Sequence, residues 1–413
     1  MATKPNRPLR IFLSTGEVSG DLQGALLVQA LQRQAQTLGR EVEILALGGD
    51  RMAAAGATLV GNTSLIGSIG LFESLPFVWP TLKVQRQAKR YLRQNPADVV
   101  VLIDYMGPNI AFCGYLSKHQ PQTPLIYYIA PQEWVWALNS YNTNVIVQTT
   151  RRVLAIFPEE AKYFEQQGGN VRWVGHPLVD RMQNAPTRAI ARQSLGFSPD
   201  QPLVALLPAS RQQELKYLLP VICQAAQIIQ AKLPDVHFLV PLALEKYRQP
   251  IAQAIQQAGL NATILVDQDR SQFNNSAESI SLQAIAACDL AITKSGTVNL
   301  EIALMDVPQV VLYRVNTITA WVLKRIKFSI PFMSPTNLVL MQSIVPEFMQ
   351  DEANPQNLAQ ESLDILLNPD RRQQILTGYQ TMRAALGDPG VCDRAAQEIL
   401  QVATQRQIAH SAN

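Results

Sequence analysis

The sequence predicts an α/β protein built from two doubly wound parallel-sheet domains that face each other across a cleft. Three observations predict it. At 413 residues the chain is too long for one ordinary core. Short apolar runs alternate with helical patterns in two separate series, as in open parallel sheets. Between the series lies a stretch, 182–202, rich in polar and turn residues, which reads as a linker. The expected divisions are 1–181, the linker 182–202, 203–356 and a helical tail 357–413.

The first series opens with the strand Leu9–Ser14, the loop Thr15-Gly-Glu-Val-Ser-Gly-Asp21 and a helix from about Leu22 to Gln36. The loop is not GxGxxG, so a nicotinamide site is not indicated. Glu41–Leu47 is the second strand. Val99–Asp104 is a fully apolar strand with an acid at its carboxyl end, where sites in such sheets sit. Pro108–Lys118 reads as helix, Leu125–Ile129 and Val153–Phe157 as strands, and Pro158–Phe164 as an amphipathic helix. Val171–Pro177 gives a last strand and turn. The second series runs through strands at Leu203–Leu207, Val236–Val240 and Ala262–Val266, with helices near 218–232, 250–258 and 279–287. It ends in the strand, turn, helix, turn and strand of Asp289–Arg314, with Pro308 stopping the helix.

Composition excludes several function classes. A net charge of +3 gives no electrostatic case for nucleic acid. The four Cys are scattered without a CxxC pair, and the four His lack HxH or HExxH spacing, so neither staples nor a dedicated metal site is expected. The first residues lack a long apolar region, and no run of about 18 apolar residues exists to span a membrane.

Chemistry concentrates at three places. Glu17 and Asp21 in the first loop, with Asp104, put acids at strand ends, where a carboxylate can deprotonate an alcohol attacking an anomeric carbon. Ser210 and Arg211 follow the strand Leu203–Leu207. A guanidinium there matches phosphate oxygens in a planar fork; equally, it could be a surface Arg paired with a carboxylate. Ser295-Gly296-Thr297 precedes a helix whose free N–H groups suit a diphosphate, with Glu301 one turn on to accept from a ribose diol. The alternative is a capped helix with Glu301 facing water. Separately, 65–82 gathers Ile69, Leu71, Phe72, Leu75, Phe77, Val78 and Trp79 ahead of Lys83, Arg86, Lys89 and Arg90. That pattern suits an anionic membrane surface or an acyl chain, and also a helix pair packed on the core.

Taken together, TGEVSGD (15–21), Asp104 with Pro108-Asn109, YYIAPQEWVW (127–136), VGHPLVD (174–180), LLPASRQQE (206–214), SGTVNLE (295–301), Asn337 and IVPEFMQDEANPQNLA (344–359) resemble the lipid A disaccharide synthase family. These are metal-independent, inverting glycosyltransferases of the GT-B fold, and the motifs run in the family's order along nearly the whole chain. The resemblance implies transfer of 2,3-diacylglucosamine from its UDP derivative to 2,3-diacylglucosamine 1-phosphate, forming a β-1,6 disaccharide and releasing UDP, with no cofactor. It implies Asp104 as general base, with Glu17, Ser19, Gly20 and Asp21 in the loop beside the reaction centre. Ser210, Arg211, Ser295, Gly296, Thr297, Glu301 and Asn337 would form the donor site. The partners would be the UDP-activated acylated sugar, the acylated glucosamine phosphate and the inner face of the cytoplasmic membrane, met peripherally through 65–82. A second copy of the chain is a further candidate partner, and the last helices would pack back on the first domain. Departures from the family pattern stand at Gly107, Ala209, Lys294 and Gln342. Lys294 adds a cation at the donor site. These positions bear on donor and acceptor identity, so two alternatives stay open: a GT-B enzyme on another lipid or UDP-sugar, including an epimerase, and a non-catalytic nucleotide-binding relative.

Overall fold

Two runs of strand-length apolar segments become two all-parallel sheets. The computed structural model describes residues 7–63, 75–135, 139–208, 212–242, 244–266, 279–314 and 332–411. The chain divides into two compact units, one running through Asp180 and resuming at Leu386, the other spanning Arg181–Ala385.

In the first unit the strands are β1 (Leu9–Ser14), β2 (Val42–Gly48), β3 (Thr58–Asn62), β4 (Val99–Ile103), β5 (Leu125–Tyr128), β6 (Arg152–Ala155) and β7 (Val171–Trp173). Their order is β3-β2-β1-β4-β5-β6-β7. All five residues of β4 are fully buried, as expected of a strand covered on both faces. Helices α1 (Glu17–Thr37), α2 (Asp50–Ala54), α3 (Leu75–Gln94), α4 (Met106–His119), α5 (Tyr141–Thr149) and α6 (Pro158–Gln166) connect the strands. The core beneath α3 to α6 joins Phe12, Val100, Phe112, Tyr127 and Phe164. Helix α1 begins at Glu17, so most of the stretch read as a loop is its first turn.

The division between units falls inside α7 (Leu178–Met182). The segment read as a linker is folded into the second unit. Helix α8 (Arg188–Leu195) is capped by Thr187 and ends at Gly196 in the left-handed region. Its Ala191 and Leu195 join a core with Leu203, Ala205, Leu239 and Ile302. Arg192 is only 2% exposed. It donates to the carbonyls of Ala287, Ser198, Pro199 and Gln201, and to Asp289 at 2.8 Å. Asp289 also accepts the Leu203 N–H. One buried arginine thus ties 182–202 to the strand that follows it.

The second sheet comprises β8 (Leu203–Leu207), β9 (His237–Leu242), β10 (Ala262–Val266), β11 (Leu290–Lys294), β12 (Gln309–Tyr313) and β13 (Glu347–Met349), in the order β10-β9-β8-β11-β12-β13. Its helices are α9 (Gln212–Lys232), α10 (Arg248–Gln257), α11 (Ile280–Ala287), α12 (Val298–Leu304), α13 (Pro335–Leu338), α14 (Pro355–Leu367) and α15 (Pro369–Leu386). Of the helical tail, 357–385 therefore lies in the second unit. Only α16 (Val391–Ser411) belongs to the first, packed on α1, β1 and β4. Asp180 caps α16 by accepting the Gly390, Val391 and Cys392 N–H groups.

Candidate active site

Strand order points to the site. In each sheet the winding reverses once: between β1 and β4 in the first, between β8 and β11 in the second. The loops leaving the carboxyl ends of such a pair diverge to opposite faces and open a crevice, where ligands of doubly wound sheets bind. Glu17 follows β1 and Asp104 follows β4, so the two predicted carboxylates flank the first crevice.

The backbone there is strained. Glu17, Asp104, Tyr105 and Ile129 all have positive φ, at 63, 47, 54 and 59°. Non-glycine residues hold such a conformation only where their surroundings dictate it, and they gather at functional sites. The surroundings are visible. Asn109 is fully buried. Its amide donates to the carbonyls of Ser14, Ile103 and Asp104 at 3.2, 3.2 and 2.8 Å, and its oxygen accepts the Ser14 hydroxyl at 2.7 Å. Tyr127 donates to the Asp104 carbonyl at 3.0 Å, and the Asp104 N–H donates to Ile129 at 3.0 Å. On the β1 side, the Thr63 hydroxyl donates to the Thr15 carbonyl at 2.6 Å, and the Thr63 carbonyl accepts the Glu17 N–H at 3.3 Å. Gly16 lies so close to the Tyr105 ring that no side chain fits there. The main chain of both acids is thus fixed, with Asp104 exposed and Glu17 partly exposed.

The Asp104 carboxyl is pushed up from 3.8 to about 6, first by desolvation and then by the nearby charge of Glu17, with the Tyr105 N–H pulling it back. Solvent still reaches Asp104. A carboxylate tuned toward neutrality and open to solvent is suited to take a proton from an alcohol. Tyr105 is raised by burial as well, and its hydroxyl sits 3.4 Å from that of Thr81.

Asp21 plays a different part from the one expected. It is 4% exposed, and its carboxylate accepts the N–H groups of Gly49, Arg51 and Met52 at 2.8, 3.1 and 3.1 Å. It caps α2 and has little capacity left for a ligand. Gly20 is buried against Thr15, whereas Ser19 remains partly exposed.

In the second unit the turn after β11 also departs from expectation. The Ser295 N–H donates to Leu312 at 3.3 Å, its hydroxyl to Met333 at 2.6 Å, and the Gly296 N–H to the Asn299 side chain at 2.7 Å. Two of the three turn amides are therefore already engaged, one by the neighbouring strand and one by Asn299, which folds back three residues to satisfy it. Among the described residues the Thr297 N–H carries no such bond. Glu301 is paired with Arg181, which fixes its carboxylate. Asn337 is fully buried and has no hydrogen-bonding capacity left for a donor. It donates to Val345 and Glu347 and accepts from the N–H groups of Ile344 and Val345. Its role is to hold the segment leading into β13. Ser210 and Arg211 lie outside the described residues.

Two residues that sequence reasoning passed over matter here. Tyr105 is one. Glu160 is the other: buried, it accepts the Ala130, Ile156 and Phe157 N–H groups and joins the ends of β5 and β6. Three residues after Phe157, its carboxylate reaches back to the Phe157 N–H as in half of a capping box, but Phe157 offers no side-chain oxygen to complete the pattern, so no sequence signature marked it.

Of the apolar span, Ile69, Leu71 and Phe72 lie outside the described residues, as do the side chains of Leu75 and Phe77. Helix α3 turns Ala88 and Leu92 inward and leaves Trp79 73% exposed, with Val78 and Leu82 beside it. Lys83, Arg86 and Arg90 share this outer surface.

A family model described as lipid-A-disaccharide synthetase matches residues 11–402. The chain belongs to the lipid-A-disaccharide synthase family. It is 59% identical over 95% of its length to a lipid-A-disaccharide synthase of Gloeothece citriformis, covering 99% of that protein. It is 53% identical to that of Synechocystis, covering 97% of this chain and 99% of the relative. At 33%, that of Geobacter sulfurreducens is matched over 96% of this chain and 98% of the relative. Solved structures share the fold. A UDP-GlcNAc 2-epimerase of Neisseria meningitidis bound to UDP-GlcNAc superposes with a TM-score of 0.59 at 13% identity, over 96% of this chain and 100% of that one. A glycosyltransferase of Rickettsia africae gives 0.56 at 11%, over 97% and 99%. The fold is the GT-B architecture of two parallel-sheet α/β domains, and the family is one of glycosyltransferases.

Proposed function

We propose that the chain transfers 2,3-diacylglucosamine from its UDP derivative to the 6-hydroxyl of 2,3-diacylglucosamine 1-phosphate and releases UDP. The observation that carries this reading is Asp104: a carboxyl raised to about 6 beside Glu17, open to solvent at the first sheet's crevice. Asp104 takes the hydroxyl proton as the acceptor oxygen attacks the anomeric carbon. A C–O bond forms, the bond from that carbon to the diphosphate breaks, and its electron pair leaves with UDP. Attack opposite the leaving group inverts the centre to a β linkage. Glu17 keeps Asp104 poised by its charge. Arg211, following β8, and the Thr297 N–H after β11 are assigned to the diphosphate, and Glu301, shared with Arg181, to the ribose.

The reading is tested by incubating the protein with UDP-diacylglucosamine and measuring UDP with and without the acceptor. Release that requires the acceptor supports it; release indifferent to the acceptor sinks it. The outer surface of α3 is assigned to the membrane, where Trp79 and Leu82 enter the interface and Lys83, Arg86 and Arg90 meet anionic headgroups. Vesicles containing phosphatidylglycerol should retain the protein, and the double substitution W79S/L82S should release it without changing UDP affinity. Equal retention of the variant would refute this part.

A further inference from the structure

The crevice of the second sheet contains an ion pair that no part of the proposed reaction yet uses. Lys294 is the last residue of β11 and Glu214 lies in the first turn of α9, the helix that follows β8. Their side chains meet at 3.4 Å, so the pair spans the point where the winding of the sheet reverses. Both are mostly withdrawn from solvent, at 15% and 17% side-chain exposure. The Lys294 ammonium also lies 3.4 Å from the Ser295 carbonyl, and a methyl placed on Gly296 would sit 3.1 Å from it. The cation is therefore folded back over the turn itself and does not extend into solvent.

Position and chemistry agree. The Ser295 and Gly296 N–H groups, which an anion would otherwise meet, are engaged by Leu312 and Asn299. The ammonium stands over that same turn and supplies the positive charge that the engaged amides do not. Glu214 neutralises it within the protein. A lone cation so far withdrawn from water would be costly, and the carboxylate removes that cost. An arriving diphosphate carries more charge than one carboxylate and offers more acceptor oxygens.

We propose that Lys294 is the group that receives the β-phosphate of the donor's diphosphate, and that Glu214 holds it ready until the diphosphate takes over the contact. This rests on the UDP-sugar reading above. Lys294 keeps its proton throughout. As the bond between the anomeric carbon and the phosphate oxygen breaks, the electron pair moves onto that oxygen and the ammonium stabilises it by an N–H hydrogen bond. Glu214 acts through Lys294 and is a positioning residue.

The test is calorimetric titration of wild type, K294M, K294R and E214Q with UDP and, separately, UMP, together with turnover. A charge-assisted hydrogen bond corresponds to about 10- to 100-fold in affinity. K294M should weaken UDP by about that factor while leaving UMP nearly unchanged, and it should lower turnover. K294R should recover most of the UDP preference. E214Q should tighten UDP, because it removes the competing carboxylate. Loss of UDP and UMP affinity to equal extents in K294M would mean a structural pair and overturn the proposal. So would unchanged UDP binding and turnover in K294M, or weaker UDP binding in E214Q. If wild type prefers UDP over UMP but transfers no sugar, the reaction assignment fails, while the UDP-to-UMP ratio of K294M still decides Lys294. If wild type binds neither nucleotide, both fall.

Discussion

Replacing Asp104 with Asn should lower activity and raise stability at once. Desolvation first, and the charge of Glu17 second, push the native carboxyl up from 3.8 to about 6. Between those values the folded protein binds a proton that the unfolded chain does not. Stability contributed by this group is therefore present at low pH and lost as pH rises through about 6. At neutral pH the ionised Asp104 opposes folding, and Asn removes that opposition. Asn also tolerates the left-handed φ of 47° better than most residues. D104N should therefore melt at a temperature equal to or above that of wild type when scanned at neutral pH. Loss of a general base costs about 100- to 10,000-fold in turnover. In wild type, activity should fall about tenfold per pH unit below the carboxyl's titration. E17Q should move this acid limb to lower pH by removing the repelling charge. The assay is initial UDP release from the diacylated donor across a pH series of about 4.5 to 8 that brackets the titration, paired with thermal scans of each variant. A D104N variant that keeps most of its turnover, or melts well below wild type at neutral pH, would refute the reasoning. An E17Q acid limb that stays in place would remove Glu17 from the account.

Three further outcomes follow from the same geometry. N109A leaves the carbonyls of Ser14, Ile103 and Asp104 without their shared donor; urea unfolding should show a loss of about 1–3 kcal/mol and turnover should drop, with UDP affinity unchanged. R192L leaves four carbonyls without their donor and takes from Asp289 one of its two arginines, Arg188 and the Leu203 N–H remaining; it should destabilise the second unit by about 2–4 kcal/mol, seen as loss of amide-exchange protection in α8 and β8 before the first unit opens. His176 is buried and neutral, its imidazole pushed down to about 3 by desolvation. The unfolded chain binds a proton below about 6.5 that the native state refuses, so stability should fall by about 1.4 kcal/mol per pH unit below that point. H176Q should flatten the slope, measured as the difference between the two proteins in urea titrations from about pH 7 to about pH 5.

Both series of strands were legible because parallel strands are apolar on both faces. Val99–Ile103 and Leu203–Leu207 announce themselves as short uninterrupted runs. The strands Thr58–Asn62 and Glu347–Met349 did not. They close the edges of their sheets, carry Thr, Gly, Asn and Glu, and are only partly buried, so no periodicity marks them. Helix Arg188–Leu195 was hidden by its flanking Pro, Gly and polar residues. No pattern of charge reveals that one of its arginines, Arg192, is an interior strut. Asp104 and Glu17 could be placed at the first crevice because an acid at a strand's carboxyl end is a local signal. What Asp21, Asn337 and Gly296 do could not be found. Each is settled by a hydrogen bond to a partner whose orientation only the folded chain sets, and in each case that bond uses capacity a ligand was expected to take.

The central claim is that a base at Asp104 joins two acylated sugars at the expense of UDP. Mass spectrometry of the products formed from UDP-diacylglucosamine and diacylglucosamine 1-phosphate tests it most directly. The wild-type protein should form one tetraacyl disaccharide phosphate for each UDP released, and D104N should form both at least about 100-fold more slowly. UDP released without a disaccharide, a free sugar in its place, or a D104N reaction matching wild type would contradict it.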